Sequence, residues 1–260
     1  MGWLFTETPT CYVMLGDAAA LSLPAGDWTV AGWLKLTDNE GSLYQYFLSW
    51  GVVDATPDLN LYLLEASAGV APNKLKGVCR DALGNGLMNI DEWLSETTPG
   101  ASTAWQHVII ARQGNTLVMS LDGVSFAARS VANFGAVDVA GGLSLGVRSD
   151  LNADRCFGGY LAEWAKWSRA LTATEKQQLA GVGGFAAVRP ADIDQTGLDW
   201  YVPMYDGFAC EVGGLSIVNN GNNVVADANT HPPVSSPSGP AAGGIGAGIA
   251  LGIGLGVMRR

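Results

Sequence analysis

Hard cations are held by oxygens, and Ser149-Asp150-Leu151-Asn152-Ala153-Asp154 supplies them at alternating positions, with Asp150, Asn152 and Asp154 the candidate ligands. Counted from Asp150, position six is Arg155 where an EF-hand needs glycine, and position twelve is Leu161 where it needs glutamate, so that motif is excluded. A turn whose Asp and Asn side chains bond their own backbone accounts for the same residues. Asp54 and Asp58 form a second, sparser pair of oxygens. A different chemistry, stacking on a sugar ring, needs an exposed aromatic face beside a hydrogen-bonding group. Asp91-Glu92-Trp93-Leu94-Ser95-Glu96 offers one: Asp91 and Glu92 fall on opposite faces of any strand, the run reads as a solvated loop, and Trp93 with Asp91 is the candidate glycan contact. Nucleophilic catalysis finds little to use. The imidazoles are His107, inside a strand-like run, and His231, before two prolines, and no G-x-S-x-G turn presents a serine to either.

The elements that must position these residues are strands. From residue 11 to about 147, short runs rich in Val, Ile, Leu, Tyr and Trp are separated by Gly, Asp, Asn or Pro roughly every ten residues, an antiparallel all-β pattern. In Trp28–Leu36, alternation puts Trp28, Val30, Gly32, Leu34 and Leu36 on one face and Thr29, Ala31, Trp33 and Lys35 on the other. This predicts a core face backed by a partly polar one. Residues 43–50, 59–64, 74–79 and 105–112 read alike, and Asp122-Gly123 between 115–121 and 124–128 predicts a tight two-residue hairpin. One segment reads as a helix: Thr172 can cap the amide of Glu175 while Glu175 reaches back, and Gly181 supplies the stop. Strand-like runs return at 198–204, 215–218 and 223–225.

Composition limits the partners. Fourteen basic against twenty-four acidic residues leave a formal charge of −10 with no basic cluster beyond Arg259-Arg260, which excludes a phosphate-backbone footprint and with it nucleic acid. At 48% hydrophobic and 15% charged residues the chain is no disordered acidic polymer. Cys11, Cys79, Cys156 and Cys210 lie far apart without a C-x-x-C pair, which argues against a zinc ribbon. The amino terminus lacks a basic stretch followed by an apolar core, so the chain as given is expected to start in the cytoplasm.

Three stretches carry a resemblance. Pro24-Ala25-Gly26-Asp27-Trp28-Thr29-Val30-Ala31-Gly32-Trp33-Leu34-Lys35 resembles the early strand of laminin-G-like, concanavalin A-like lectin/glucanase domains, and Trp105-Gln106-His107-Val108-Ile109-Ile110-Ala111-Arg112 with Asp122-Gly123 is similar to their central hairpin. Phe157-Gly158-Gly159-Tyr160-Leu161-Ala162-Glu163-Trp164-Ala165-Lys166-Trp167-Ser168-Arg169-Ala170-Leu171-Thr172-Ala173-Thr174-Glu175 resembles their last strand running into the R-A-L-[ST]-x-x-E turn and helix. Glu163, Trp167, Arg169 and Glu175 are its structural positions. Glu163, lying among Leu161, Trp164 and Trp167, is expected to take hydrogen bonds from the turn that follows. The resemblance covers about residues 10–182 and implies an all-β, two-sheet antiparallel jelly-roll sandwich with one short peripheral helix. It makes calcium the cofactor to expect at Asp150, Asn152 and Asp154, near a glycan-binding rim. Glycanases on this fold carry an E-x-D-x-x-E strand with alternate carboxylates facing one groove; that spacing is absent, and a non-enzymatic protein is expected.

Gly197-Leu198-Asp199-Trp200-Tyr201-Val202-Pro203-Met204, with Thr230-His231-Pro232-Pro233, is similar to the continuation seen in laminin-G-like proteins of tailed phages and prophages. That implies a virion decoration, fibre or spike module, made in the host cytoplasm, whose partners are other virion proteins, copies of itself or a cell-surface glycan. The expected organisation is a jelly roll over 1–183, a β extension packing on it over 184–232, a Pro/Ser/Gly linker over 233–243 and a glycine-rich apolar tail over 244–260. In that tail apolar residues alternate with glycine at period two, a strand signal, while Gly244, Gly248, Gly252 and Gly256 stand four apart, a ridge on which apolar helices pack closely. Residues 241–258 are eighteen uncharged residues, about 27 Å as helix, so membrane insertion through 241–260 is the alternative to packing against copies or another virion protein. A membrane-associated, calcium-dependent adhesion module is the corresponding second reading.

Overall fold

Runs of β-branched and aromatic residues bury one face each by pairing into two sheets that stack face to face. The computed structural model describes residues 2–6, 8, 10–16, 19–36, 44–51, 58–64, 74–80, 86–88, 104–125, 128–130, 136, 143–204, 209–220, 224–227 and 230–234. The strands are β1 (Gly2–Phe5), β2 (Tyr12–Leu15), β3 (Trp28–Leu36), β4 (Tyr44–Trp50), β5 (Asp58–Leu64), β6 (Lys74–Arg80), β7 (Gly86–Met88), β8 (Gln106–Gln113) and β9 (Thr116–Leu121). After them come β10 (Val124–Ser125), β11 (Arg129–Ser130), β12 (Leu143–Leu145), β13 (Gly159–Trp167), the helix α1 (Ala173–Ala180), β14 (Leu198–Val202), β15 (Ile217–Asn220) and β16 (Val225–Asp227). One sheet runs β10-β9-β8-β3-β13-β1-β16, with β11 added to β9 and β14 to β13; the other runs β15-β2-β12-β4-β5-β6-β7. All the strand pairs are antiparallel. The architecture is the expected jelly-roll sandwich.

Between the sheets lies a core that includes Trp3, Phe5, Trp28, Phe47, Trp50, Trp164 and Trp200, all at most 1% exposed. Burial of each such side chain contributes about 2–3 kcal/mol relative to leaving it in water. The contribution of β1 to this core was not visible as an element, because a four-residue strand is too short to display a period. The chain after α1 feeds both sheets: β14 pairs with β13, β16 with β1, and β15 with β2.

The outer face of β3 is partly polar, through Thr29 and Lys35, but it is covered: Ala31 joins Ile109, Ala165, Trp167, Leu171, Leu179, Ile193 and Tyr201 in a second apolar cluster, and Trp33 joins Ala162, Ala187 and Val234 in a third. The reason is that α1 and the residues following it lie over this face and remove it from water. Only Lys35 of the four predicted outer residues keeps partial exposure.

Local chemistry explains the turns. Asp122 and Gly123 have φ of 49° and 77°, both positive as a type I′ hairpin needs, and Val124 pairs with Leu121. Of the run expected over 124–128, Val124 and Ser125 form β10 on β9, and β11 at Arg129 and Ser130 pairs with the same strand. The helix has its capping box from Thr172 and Glu175 and ends on Gly181 at φ 67°, where Val182 N–H donates to Gln177 O. At the sandwich centre Gly32 lies under Trp164: a Cβ there would sit 2.2 Å from the indole. Replacing Gly32→Ala is expected to displace Trp164 and cost about 1–3 kcal/mol, read as a lower urea midpoint at unchanged slope; an unshifted midpoint would deny this packing.

Candidate functional site

The closing strand carries the most unusual side chain of the fold. β13 pairs with β3 through Leu161↔Leu34 and Ala162↔Trp33, then resumes at Ala165↔Ala31, so Glu163 and Trp164 together oppose Gly32 in a β-bulge. Strict alternation would have placed Glu163 on the same face as Leu161, inside the main core. The bulge changes the phase: Leu161 and Trp164 both reach the main core, while Ala165 and Trp167 lie in the outer cluster. Glu163 itself takes φ 57°, which for a long side chain costs on the order of 1 kcal/mol or more.

What holds it is a buried polar set. Tyr201 donates its hydroxyl to Glu163 Oε2. Arg189 Nε donates to Tyr201 Oη at 3.1 Å and stands 3.9 Å from the same carboxylate oxygen, while Arg189 Nη2 donates to Glu211 Oε2 at 2.6 Å. His231 Nε2 approaches Glu163 Oε1 to 3.6 Å. Burial first, and the Glu163 charge second, hold the Tyr201 phenol far above its ordinary range, so it stays a donor. Glu163 is 1% exposed, and a carboxylate so enclosed touches no dissolved saccharide. Its hydrogen-bond partner is not in the following turn, as expected, but 38 residues along the chain. The signal was present in the alternation of 198–204, which turns Tyr201 away from the core-facing Trp200 and Val202.

The other motif positions meet at the strand's end. Arg169 grips Glu175 with two bonds, Nη1–Oε2 at 3.0 Å and Nη2–Oε1 at 2.6 Å, and Glu175 Oε2 also accepts from Thr172 N at 2.7 Å and Oγ1 at 2.8 Å. The guanidinium lowers the Glu175 carboxyl to about 2. Arg169 donates further to Thr196 O at 2.6 Å and Asp194 O at 2.8 Å, tying the helix cap to the extension. Trp167, fully buried, packs beneath with Leu171 and Leu179.

The candidate cation loop crosses the outer face of the second sheet, where Val147 and Cys156 cluster with Tyr12 and Met14. Ser149 N donates to Ser49 Oγ at 3.0 Å, and the Arg148 guanidinium lies 5.7 Å from the Tyr46 ring centre. Arg148 also takes both oxygens of Asp150, at 2.9 and 2.5 Å, and this pairing lowers the Asp150 carboxyl. Asn152 Oδ1 accepts from Asp154 N at 2.9 Å. These residues therefore form the self-bonded turn, and the arrangement does not fit a cation: an ion would have to displace the guanidinium from Asp150. Among the described residues no group of three or more His, Cys, Asp or Glu is placed to hold a metal.

His107 is a packed strand residue. It is 2% exposed, edge-on to Trp33 at 4.9 Å, and burial lowers its pKa to about 3, so it is neutral and stays so over the physiological range. Asp91 and Trp93 lie outside the described residues, as do Asp54 and the tail glycines Gly244, Gly248, Gly252 and Gly256; of Asp58 only the strand backbone is described. Cys11 and Cys156 are buried and Cys210 is half-buried. Among the described residues no helix is long and apolar enough to cross a membrane.

Residues 8–175 match the family model of the concanavalin A-like lectin/glucanases superfamily. The chain belongs to that superfamily. The match ends at Glu175, the residue Arg169 clamps, close to the extent read from sequence. A search of curated proteins returned no match. Among solved structures, a Bacteroides ovatus protein named for carbohydrate binding superposes with a TM-score of 0.55 at 15% identity over 87% of this chain and 61% of its own. The heptameric SAP-like pentraxin of Limulus polyphemus gives 0.51 at 16% over 85% and 95%, and the binding domain of Paraclostridial Mosquitocidal Protein 1 gives 0.50 at 12% over 68% and 42%. At such identities the likeness is one of fold. This chain spans about three-fifths of the Bacteroides ovatus structure.

Two outcomes follow for this superfamily member. Glu163→Ala is expected to cost about 1–3 kcal/mol by leaving the buried Tyr201 hydroxyl without its acceptor, whereas Glu163→Gly, which relieves the positive φ, retains roughly 1 kcal/mol more; equal urea midpoints would deny the strain. Because the His107 pKa is about 3 folded against 6.5 ordinarily, the unfolded chain alone takes up a proton below pH 6.5. Stability therefore falls on acidification by up to ~1.4 kcal/mol per pH unit, with Glu175 adding its loss below about 4.5. His107→Gln should flatten the profile between pH 6.5 and 4.5 in urea titrations, and a profile parallel to wild type would contradict this origin.

Proposed function

We propose that the protein is a non-enzymatic, glycan-binding laminin-G-like module of a phage or prophage virion, displayed as a decoration, fibre or spike element and attached through its C-terminal tail. The observation that carries the reading is the fate of the closing motif's carboxylates. Glu163 is enclosed by Tyr201 and Glu175 by Arg169 and Thr172, so both serve the fold and neither is offered to a glycosidic bond. The name of the Bacteroides ovatus structure supports carbohydrate as the ligand class. The resemblance of residues 197–204 and 230–233 to phage-encoded continuations supports the virion setting; in the fold these residues contribute β14 and bring His231 against Glu163. The tail, with its glycines four apart, would join copies of the chain or a second virion protein; the membrane-tethered, calcium-dependent adhesion module is the competing use of the same residues.

The test has three readouts. Full-length protein on a glycan array should bind at least one glycan class, equally with calcium or EDTA and without releasing reducing sugar; turnover abolished by one acidic substitution would overturn the non-enzymatic reading. Mass spectrometry of purified particles should find the chain, and its absence from them would overturn the virion role. Ending the chain at Ser236 should convert a soluble oligomer to monomer, whereas loss of detergent partitioning would favour the membrane alternative.

A further inference from the structure

On the outer face of the nine-stranded sheet, beside α1, lies a groove of about 430 Å³, within the ~300–1,000 Å³ range typical of ligand pockets. Its floor is built by strand register. Ser120 on β9 stands directly across from Ser125 on β10 and from Ile109 on β8, so Ser120 and Ser125 share the outer face to which Ile109 also points. Gln113 lies four pairs further along the same face. Its wall is α1, where Ala173, Lys176 and Gln177 are spaced three and four apart and therefore line one side of the helix. The two walls are fixed to each other: Gly123 at the hairpin tip approaches Val182 so closely that a Cβ would meet its side chain at 2.4 Å.

The lining is neutral and hydrogen-bonding apart from one cation. Lys176 is half-buried, and burial lowers its ammonium from the ordinary value. Among the described residues it forms no ion pair, because Glu175, one residue before it, has its carboxylate bound by Arg169 and Thr172. Ser120, only 6% exposed, likewise brings a hydroxyl to the groove that bonds no described side chain. In a chain of formal charge −10, a partly desolvated lysine outside any ion pair, whose neighbouring acid Glu175 is already bound by Arg169 and Thr172, and which is ringed by hydroxyls and amides, is suited to an anion that carries hydroxyls of its own.

We propose that this groove binds an acidic sugar residue, its anionic group on Lys176 and its hydroxyls on Ser120, Ser125, Gln113 and Gln177. This deepens the glycan-binding reading and rests on it, and it places the ligand away from the rim loop at Asp150. The test titrates full-length protein with N-acetylneuraminic acid, glucuronate, glucose 6-sulfate, glucose and inorganic phosphate, by calorimetry or ligand-observed NMR. At least one of the three acidic sugars should bind at least tenfold more tightly than glucose, with the carboxylated and sulfated arms telling the two anions apart. Lys176→Met should lose at least tenfold, Lys176→Arg should stay within threefold of wild type, and added salt should weaken binding. Both variants lie on a half-exposed helix position, and unchanged urea midpoints will confirm that they fold. Acidic sugars that bind Lys176→Met as tightly as wild type, or inorganic phosphate that binds as well as the sugars, would overturn the groove assignment. Neutral glycans binding with no acidic preference would overturn the groove and leave the glycan-binding module standing; no glycan binding of any kind would overturn both.

Discussion

A sheet buried on both faces has to hand its side chains to two different cores, and the Glu163 bulge is where this chain does so. The main core needs Leu161 and Trp164, the outer cluster needs Ala165 and Trp167, and no unbroken period-two strand can supply that pattern. One inserted residue resolves the conflict at the cost of a positive φ and a buried carboxylate. The chain that follows meets part of this: Tyr201 bonds Oε2 of the carboxylate, Arg189 and His231 bring positive or polar edges to it though Oε1 has no hydrogen-bond partner among the described residues, and Arg169 fixes the helix that covers the same face. The extension is thus part of the sandwich, not an addition to it.

This arrangement separates structural from available chemistry. Charged groups in the closing motif face inward to one another, where low dielectric makes a matched pair strong and an unmatched one costly. Arg148 and Asp150 do the same on the opposite sheet at lower burial. Lys176, on the helix, is a cation whose neighbouring acid is already engaged. In the proposed groove, selectivity rests on this cation, and paired strands form the floor beneath it.

Much of this was legible before any coordinates. The alternation in 28–36, the Asp122-Gly123 turn and the Thr172–Glu175 capping box are local rules, and each appears where the residues place it. The cation loop also showed both its readings, and the partner that decides between them, Arg148, lies only two residues from Asp150. What was not legible depends on distant chain. The outer face of β3 does not show in its own residues that α1 and residues 184–234 cover it, and the partner of Glu163 is found only when Tyr201 is paired in from β14. The groove was likewise invisible, since Ser120, Ser125 and Lys176 are unremarkable surface types until strand register and helix phase bring them together.

The Glu163 carboxylate is a structural partner of Tyr201. A double-mutant cycle of Glu163→Gln and Tyr201→Phe, read by urea denaturation, tests it most directly. A coupling energy of about 1–3 kcal/mol between the two positions is expected. Additive losses, with a coupling within error of zero, would contradict it.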